Sequence, residues 1–146
     1  MNEPAYPLNN LRFSFDSISS QKHIRKVIEY APLDSQNQFF NLALVDENED
    51  GSFSDMIVSN NNDMTKVLAT VVHTLQLFFK VYPEALVTFK GSTTSRTRLY
   101  RIAISRSLKE AESIFDIWGF QGAELERFIP DTQYDSFVIG LRQQKQ

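Results

Sequence analysis

Cysteine is absent from the 146-residue chain, which excludes disulfides, thiolate metal sites, iron–sulfur clusters and a cysteine nucleophile. Glycine and proline are sparse at 5 each while phenylalanine alone numbers 12, so collagen-like and disordered compositions are excluded and an aromatic core is expected. Only two histidines are present, His23 and His73, far apart and without a ligand partner at metal spacing, so a structural or exposed role is expected of both. Long apolar runs are missing as well. The most hydrophobic stretch, Val67 to Phe79, is interrupted by Thr70, His73, Thr74 and Gln76 and falls short of the roughly 18 apolar residues a membrane span requires. A formal charge of -3 gives no global pull toward nucleic acid or anionic lipid. Met1 to Asn10 has neither a basic n-region nor an apolar h-region, so a cytoplasmic location and no membrane partner are expected.

What is present is enough for one domain, since a chain of this length buries roughly 70% of its unfolded surface. Leu11, Phe13 and Phe15 alternate with polar residues, the period of a half-buried strand, and Ser17 to Gln21 reads as a turn. Ile24 to Tyr30 fits both helix and strand spacing; its β-branched and aromatic residues favour strand. Gln38 to Val45 carries no charge, as a central strand would. Asp46 to Gly51 reads as a polar turn returning through a strand at Ser52 to Val58. Met64, Val67, Leu68, Val71, Val72, Leu75, Phe78, Phe79 and Tyr82 recur at spacings of three and four, which predicts a core helix capped by Asn62 or Asp63 and stopped at Pro83. A strand at Ala85 to Lys90 then leads through Gly91 and a run of hydroxyls into a second helix ending near Glu112. Ile114 to Phe120 reads as a strand, Gly122 to Phe128 as a helical turn, Tyr134 to Leu141 as the strand that closes the sheet, and Gln143 to Gln146 as a frayed tail. The expected class is α+β, an antiparallel or mixed sheet with two main helices in the order ββββαβαββ.

The basic residues are unevenly placed. Lys90, Arg96, Arg98, Arg101, Arg106 and Lys109 follow one another with no acidic residue between them. Arg96 and Arg98 fall near the start of the second helix, where the dipole disfavours each cation by roughly 0.3–1 kcal/mol. A strand end, Gly91, then Ser92, Thr93, Thr94 and Ser95, then a helix start bearing Arg96, Arg98 and Arg101 form an anion cradle of backbone N–H groups and guanidinium forks. The run lacks the second glycine and the lysine of a Walker loop. Tyr100 beside these arginines has the chemistry to stack on a base, although core packing explains it more simply. An internal partner for the cations exists in an acidic stretch, Asp46, Glu47, Glu49, Asp50, Asp55 and Asp63, which has no basic residue; Asp55 and Asp63 are the candidate intramolecular partners.

Other chemistry is thinner. Asp46, Asn48, Asp50 and Gly51 match the first half of a calcium loop, but the twelfth position is Ile57 and the flanks read as strands. Ser92 and Ser95 lack a base, Asp55 and Asp63 read as turn and cap residues ahead of an acid–base pair, and no cofactor or metal site is implied. Trp118, Phe120 and Phe128 cluster around Gly119 and Gly122 as core, dimer interface or ligand pocket.

Ser59-Asn60-Asn61, Asp63, Lys66-Val67-Leu68-Ala69-Thr70, Tyr82-Pro83, Gly91-Ser92-Thr93 and Arg96-Thr97-Arg98-Leu99-Tyr100 together resemble a bacterial family defined only as a domain of unknown function. Asn41-Leu42, Asp55, Tyr134 and Phe137 are similar too, so the resemblance spans nearly the whole chain. It implies a strand at Ile24 to Tyr30 and brings no activity. Relatives often carry Gly-Asp where Val45-Asp46 stands and an acidic pair where Ser54-Asp55 stands, departures that weaken a metal reading. The expected function is therefore a non-enzymatic binding or interaction module using the basic strand-to-helix junction, with a phosphate-containing ligand, a protein partner or a second copy of the chain as its partner. The alternative is an enzyme or toxin-like effector acting on a nucleotide or nucleic acid through the same junction.

Overall fold

A computed structural model describes residues 11–18, 23–55 and 61–142. The alternating segments become strands β1 (Leu11–Ile18), β2 (His23–Pro32) and β3 (Phe39–Glu47), paired antiparallel in sequence order. A hairpin returns as β4 (Phe53–Asp55), and helix α1 (Asn61–Val81) crosses to β5 (Leu86–Phe89), which pairs parallel with β3. Helix α2 (Thr94–Glu112) leads to β6 (Phe115–Gln121), β7 (Glu124–Arg127) and β8 (Ser136–Leu141). The order is ββββαβαβββ, an α+β fold with a mixed eight-stranded sheet running β1-β2-β3-β5-β8-β6-β7, with β4 beside β3.

Several expectations change. Gly122 to Phe128 is the β6–β7 hairpin and not a helical turn, because Gly122 takes φ +63° at the first position of a two-residue turn that pairs Gln121 with Glu124. The last strand does not close the sheet at an edge: β8 lies inside, antiparallel to both β5 and β6. Asn62 and Asp63 lie within α1, which begins at Asn61, so neither is its cap. Of the turn expected at Ser17 to Gln21, Ser17 and Ile18 belong to β1 and the rest lies outside the described residues, as do 56–60 of the returning strand and the 143–146 tail.

Both helices pack on one face of the sheet. Phe40, Leu42 and Leu44 of β3, Ile28 and Tyr30 of β2, and Val87 and Phe89 of β5 point into that layer and are buried. Phe78 of α1 is fully buried at its centre, stacked on Tyr30 at 4.6 Å and edge-on to Phe40 at 4.8 Å between ring centroids. The far face of the sheet carries charges on aromatic rings: Arg12 lies 5.5 Å over Phe53, and Arg127 5.8 Å over Trp118. The aromatic cluster expected around Gly119 is thereby divided, with Phe128 buried among Tyr134 and Phe137 while Trp118 projects to the far face.

The most consequential polar feature is one the hydrophobic pattern hides. Lys26 and Asp46 face each other across β2 and β3 on the core side, Nζ to Oδ1 at 3.0 Å, each with only 3% of its side chain exposed. Asp46 is thus a strand residue in an ion pair and not a solvated turn residue. Two charges removed from water depend on each other, and removing one leaves the other without its counter-charge at 3.0 Å, at about 3–5 kcal/mol. Lys26→Ala and Asp46→Ala are each expected to lower unfolding free energy by about that amount in urea titrations, whereas Lys26→Met with Asp46→Leu recovers most of it.

Tyr30 supplies a second test. Its hydroxyl meets that of Thr74 at 2.7 Å, and burial, partly offset by this bond, raises the phenol far above its ordinary range. The native state then keeps a proton that the unfolded chain releases near pH 10, so this contribution is complete below that pH and is lost as pH rises further. Urea midpoints from pH 8 to 11 are expected to fall at the alkaline end, and Tyr30→Phe to flatten part of that slope.

Candidate functional site

The strand end, hydroxyl loop and helix start expected around Gly91 form at the end of β5. Thr93, with extended backbone at φ -131°, caps α2 by accepting the Arg96 N–H on its hydroxyl at 3.1 Å. Thr97, one turn in and buried, clasps the loop to the helix: its Oγ1 accepts the Gly91 N–H at 3.0 Å and donates toward the Thr93 carbonyl at 3.1 Å. Gly91 is required here for space, since a Cβ would lie 2.5 Å from the Arg96 Cβ and 2.5 Å from the Thr97 nitrogen. The first turn of α2 holds no acidic residue.

Beside this junction opens a cleft of about 430 Å³, with Lys90, Arg98 and Arg101 as its cations and Ser92, Thr93 and Thr94 as its hydroxyls. Its other wall is Gln133, Tyr134 and Asp135, carried there because Phe137 of β8 pairs antiparallel with Phe89 of β5. Sequence reasoning named Tyr134 and Thr97 as residues that carry the resemblance and gave neither a place at the site, and it missed Gln133 and Asp135. The signal for Tyr134 lies in Gly119, whose absent side chain leaves room for the Tyr134 ring. The Tyr134 hydroxyl donates to Glu126 Oε2 at 2.6 Å and accepts the Ile129 N–H at 3.0 Å; desolvation and the Glu126 bond raise its pKa. Asp135 is the one carboxylate among the described lining residues, and its Oδ2 accepts the Gly122 N–H at 2.9 Å.

Of the other proposed residues, Ser95 is exposed and Arg96 half-buried, and neither lines the cleft. Tyr100 is buried with its ring 4.6 Å from Phe89, so its face is turned to the core and not to a base. The acidic stretch is dispersed. Asp46 is committed to Lys26, and Asp50 accepts the Ser52 N–H and hydroxyl at 2.9 and 2.6 Å, which lowers its pKa and shapes the β3–β4 turn. Burial of Asp46 in an ion pair also removes the first ligand of the half calcium loop. The side chains of Asp55 and Asp63 lie outside the described residues. No ion pair joins Arg98, Arg101, Arg106 or Lys109 to Asp46, Glu47, Glu49 or Asp50 among the described residues. His73 is exposed on α1, and no cluster of three potential metal-ligating residues occurs among the described residues. No described helix is long and apolar enough to cross a membrane.

The fold and junction define a small α+β domain with a basic cleft at a helix start. The chain belongs to the family of unknown function DUF6934, which it matches over residues 2–142. No curated protein and no solved structure matches it.

The close approach at Gly91 makes a direct prediction. Gly91→Ala is expected to push the loop off α2 and lower stability by about 1–3 kcal/mol in chemical denaturation, while Thr94→Ala at an exposed position stays within about 0.5 kcal/mol of the parent.

Proposed function

We propose that this protein is a non-enzymatic binding module that takes a phosphate-bearing anionic partner in the cleft at the β5–α2 junction. The observation that carries the reading is the convergence of Lys90, Arg98 and Arg101 on one cleft at the start of a helix whose first turn has no acid. Helix N–H groups and guanidinium forks are complementary to phosphate oxygens, and an anion there relieves the repulsion between the arginines and the helix dipole. Position agrees with chemistry: β3 and β5 run parallel, so the junction lies at the carboxyl ends of neighbouring strands, where ligands of parallel sheets commonly bind.

The enzymatic alternative asks for an available general base facing the cleft. Asp135 is a single exposed carboxylate with one oxygen held by the Gly122 N–H, and the Tyr134 hydroxyl is engaged by Glu126 and Ile129, so no paired acid and base face the cleft among the described residues, which supports binding ahead of turnover. A nucleotide, a phosphorylated protein or another phosphate ester each satisfies the same recognition.

A thermal-shift series at low salt with inorganic phosphate, ATP and short RNA tests the reading. Ligand at a hundred times its dissociation constant adds about 2.7 kcal/mol, which corresponds to a rise of several degrees in Tm for a domain of this size. The rise is expected to shrink with added salt and to vanish in Arg98→Ala/Arg101→Ala. Equal shifts in parent and variant, or none with any ligand, overturn the assignment.

A further inference from the structure

A second concavity lies on the helix side of the sheet, away from the basic cleft and sharing no lining residue with it. It is a gap of about 370 Å³ between α1 and α2, and its floor is the core face of the sheet, Leu42, Phe89, Phe115 and Ile139. Leu68, Val72 and Leu75 of α1 form one wall, and Ile104 and Ala111 of α2 the other. Leu68, Val72, Ala111 and Ile114 remain partly exposed around it, so the mouth is apolar as well as the interior. Protein interiors pack to the density of organic crystals, and a closed apolar cavity of about 150 Å³ already accepts benzene. The gap here is more than twice that volume and falls in the ordinary range for small-molecule sites, about 300–1,000 Å³, which are mostly apolar with a few placed polar groups.

The polar groups are few and of one kind. Among the described lining residues the only side chains able to hydrogen-bond are Ser107 and Glu110, three positions apart and so one turn from each other on α2, and Glu110 is the only charge. Glu110 is exposed and makes no ion pair among the described residues. A carboxylate at the mouth of an apolar slot attracts a cation or hydrogen-bond donor and repels an anion. We propose that the α1–α2 gap is a binding site for a small amphiphile with a hydrocarbon body and an ammonium or hydroxyl head, its chain against Leu68, Val72, Ala111 and Ile114 and its head at Ser107 and Glu110. Charge complementarity selects this occupant, since the exposed carboxylate of Glu110 stands beside the partly exposed apolar side chains Leu68, Val72, Ala111 and Ile114.

The intact chain can be titrated by calorimetry with octylamine, octanol and octanoate, with circular dichroism as the check on folding. Octylamine and octanol are expected to bind one per chain, and octanoate at least tenfold more weakly. Glu110→Gln, a change at an exposed position, is expected to abolish the preference for the amine and leave octanol affinity within twofold. Ala69→Phe, which places a ring at the exposed edge of the α1 wall, is expected to abolish binding of all three. Absence of octanol and octylamine binding to the parent overturns the proposal, as does equal affinity for octanoate or an amine preference that survives Glu110→Gln. Concentration-dependent dimerisation without octyl binding would assign the gap to a second copy of the chain and overturn it too.

Discussion

The parallel register of β3 with β5, Phe40 beside Val87 and Leu42 beside Phe89, is the constraint on which the other placements depend. Parallel neighbours cannot be joined by a tight turn, so the chain between them must cross over the sheet, and α1 is that crossover. Its apolar stripe, Val67, Val71, Leu75 and Phe78, is then obliged to face the strands. Because β3 and β5 point the same way, their carboxyl ends share an edge of the sheet, and α2 departs from that edge. A further strand, β8, fits between β5 and β6 only by running against both, which returns Gln133 to Asp135 to the same edge. The basic cleft is therefore assembled from segments more than thirty residues apart by strand order alone.

Charge is distributed by the same geometry. Six acids in one stretch and six bases in another invite the idea that the two neutralise each other. Burial divides them instead. Asp46 lies on the core side of β3, and Lys26, directly across the ladder, compensates its charge there. Asp50 is used locally, where an Asx turn reverses the backbone within two residues. The cations at the α2 start face Gln133 and Asp135 across open space, a setting in which a diffusible anion competes well with a surface carboxylate, because exposed ion pairs contribute little.

The residues that repeat at short range were legible in the sequence. Alternation in Leu11 to Phe15 and the three-and-four spacing from Val67 to Tyr82 each report a local face, and local faces survive folding. The Gly91 to Arg101 junction was legible for the same reason: strand end, glycine, hydroxyl cap and arginines are contiguous. Features set by pairing across the chain were not. Nothing near Lys26 distinguishes a buried lysine from the exposed Arg25 beside it until Asp46 is opposite. The hairpin at Gly122 was disguised by the run Glu124 to Arg127, whose four side chains are all exposed at the sheet edge and which offers Leu125 alone in place of a repeating apolar face. Tyr100 could be assigned to the core only through Phe89, and Tyr134 to the cleft only through the space above Gly119.

Helix α2 joins two environments that its sequence keeps separate. Its first turns are polar and tied to β5 through Thr97 and Gly91, while Ile104, Ser107 and Ala111 line the apolar gap beside α1. A helix anchored at one end by hydrogen bonds can leave space at the other without losing its place, since the clasp fixes its start and the sheet contact of Tyr100 and Ala103 fixes its middle. The two concavities then make independent demands on the chain. Guanidinium chemistry at Arg98 and Arg101 acts on the first and leaves the second untouched; volume at Ala69 acts on the second and leaves the first. A chain of this size can hold two such concavities because the eight-stranded sheet, and not either helix, carries the core between them.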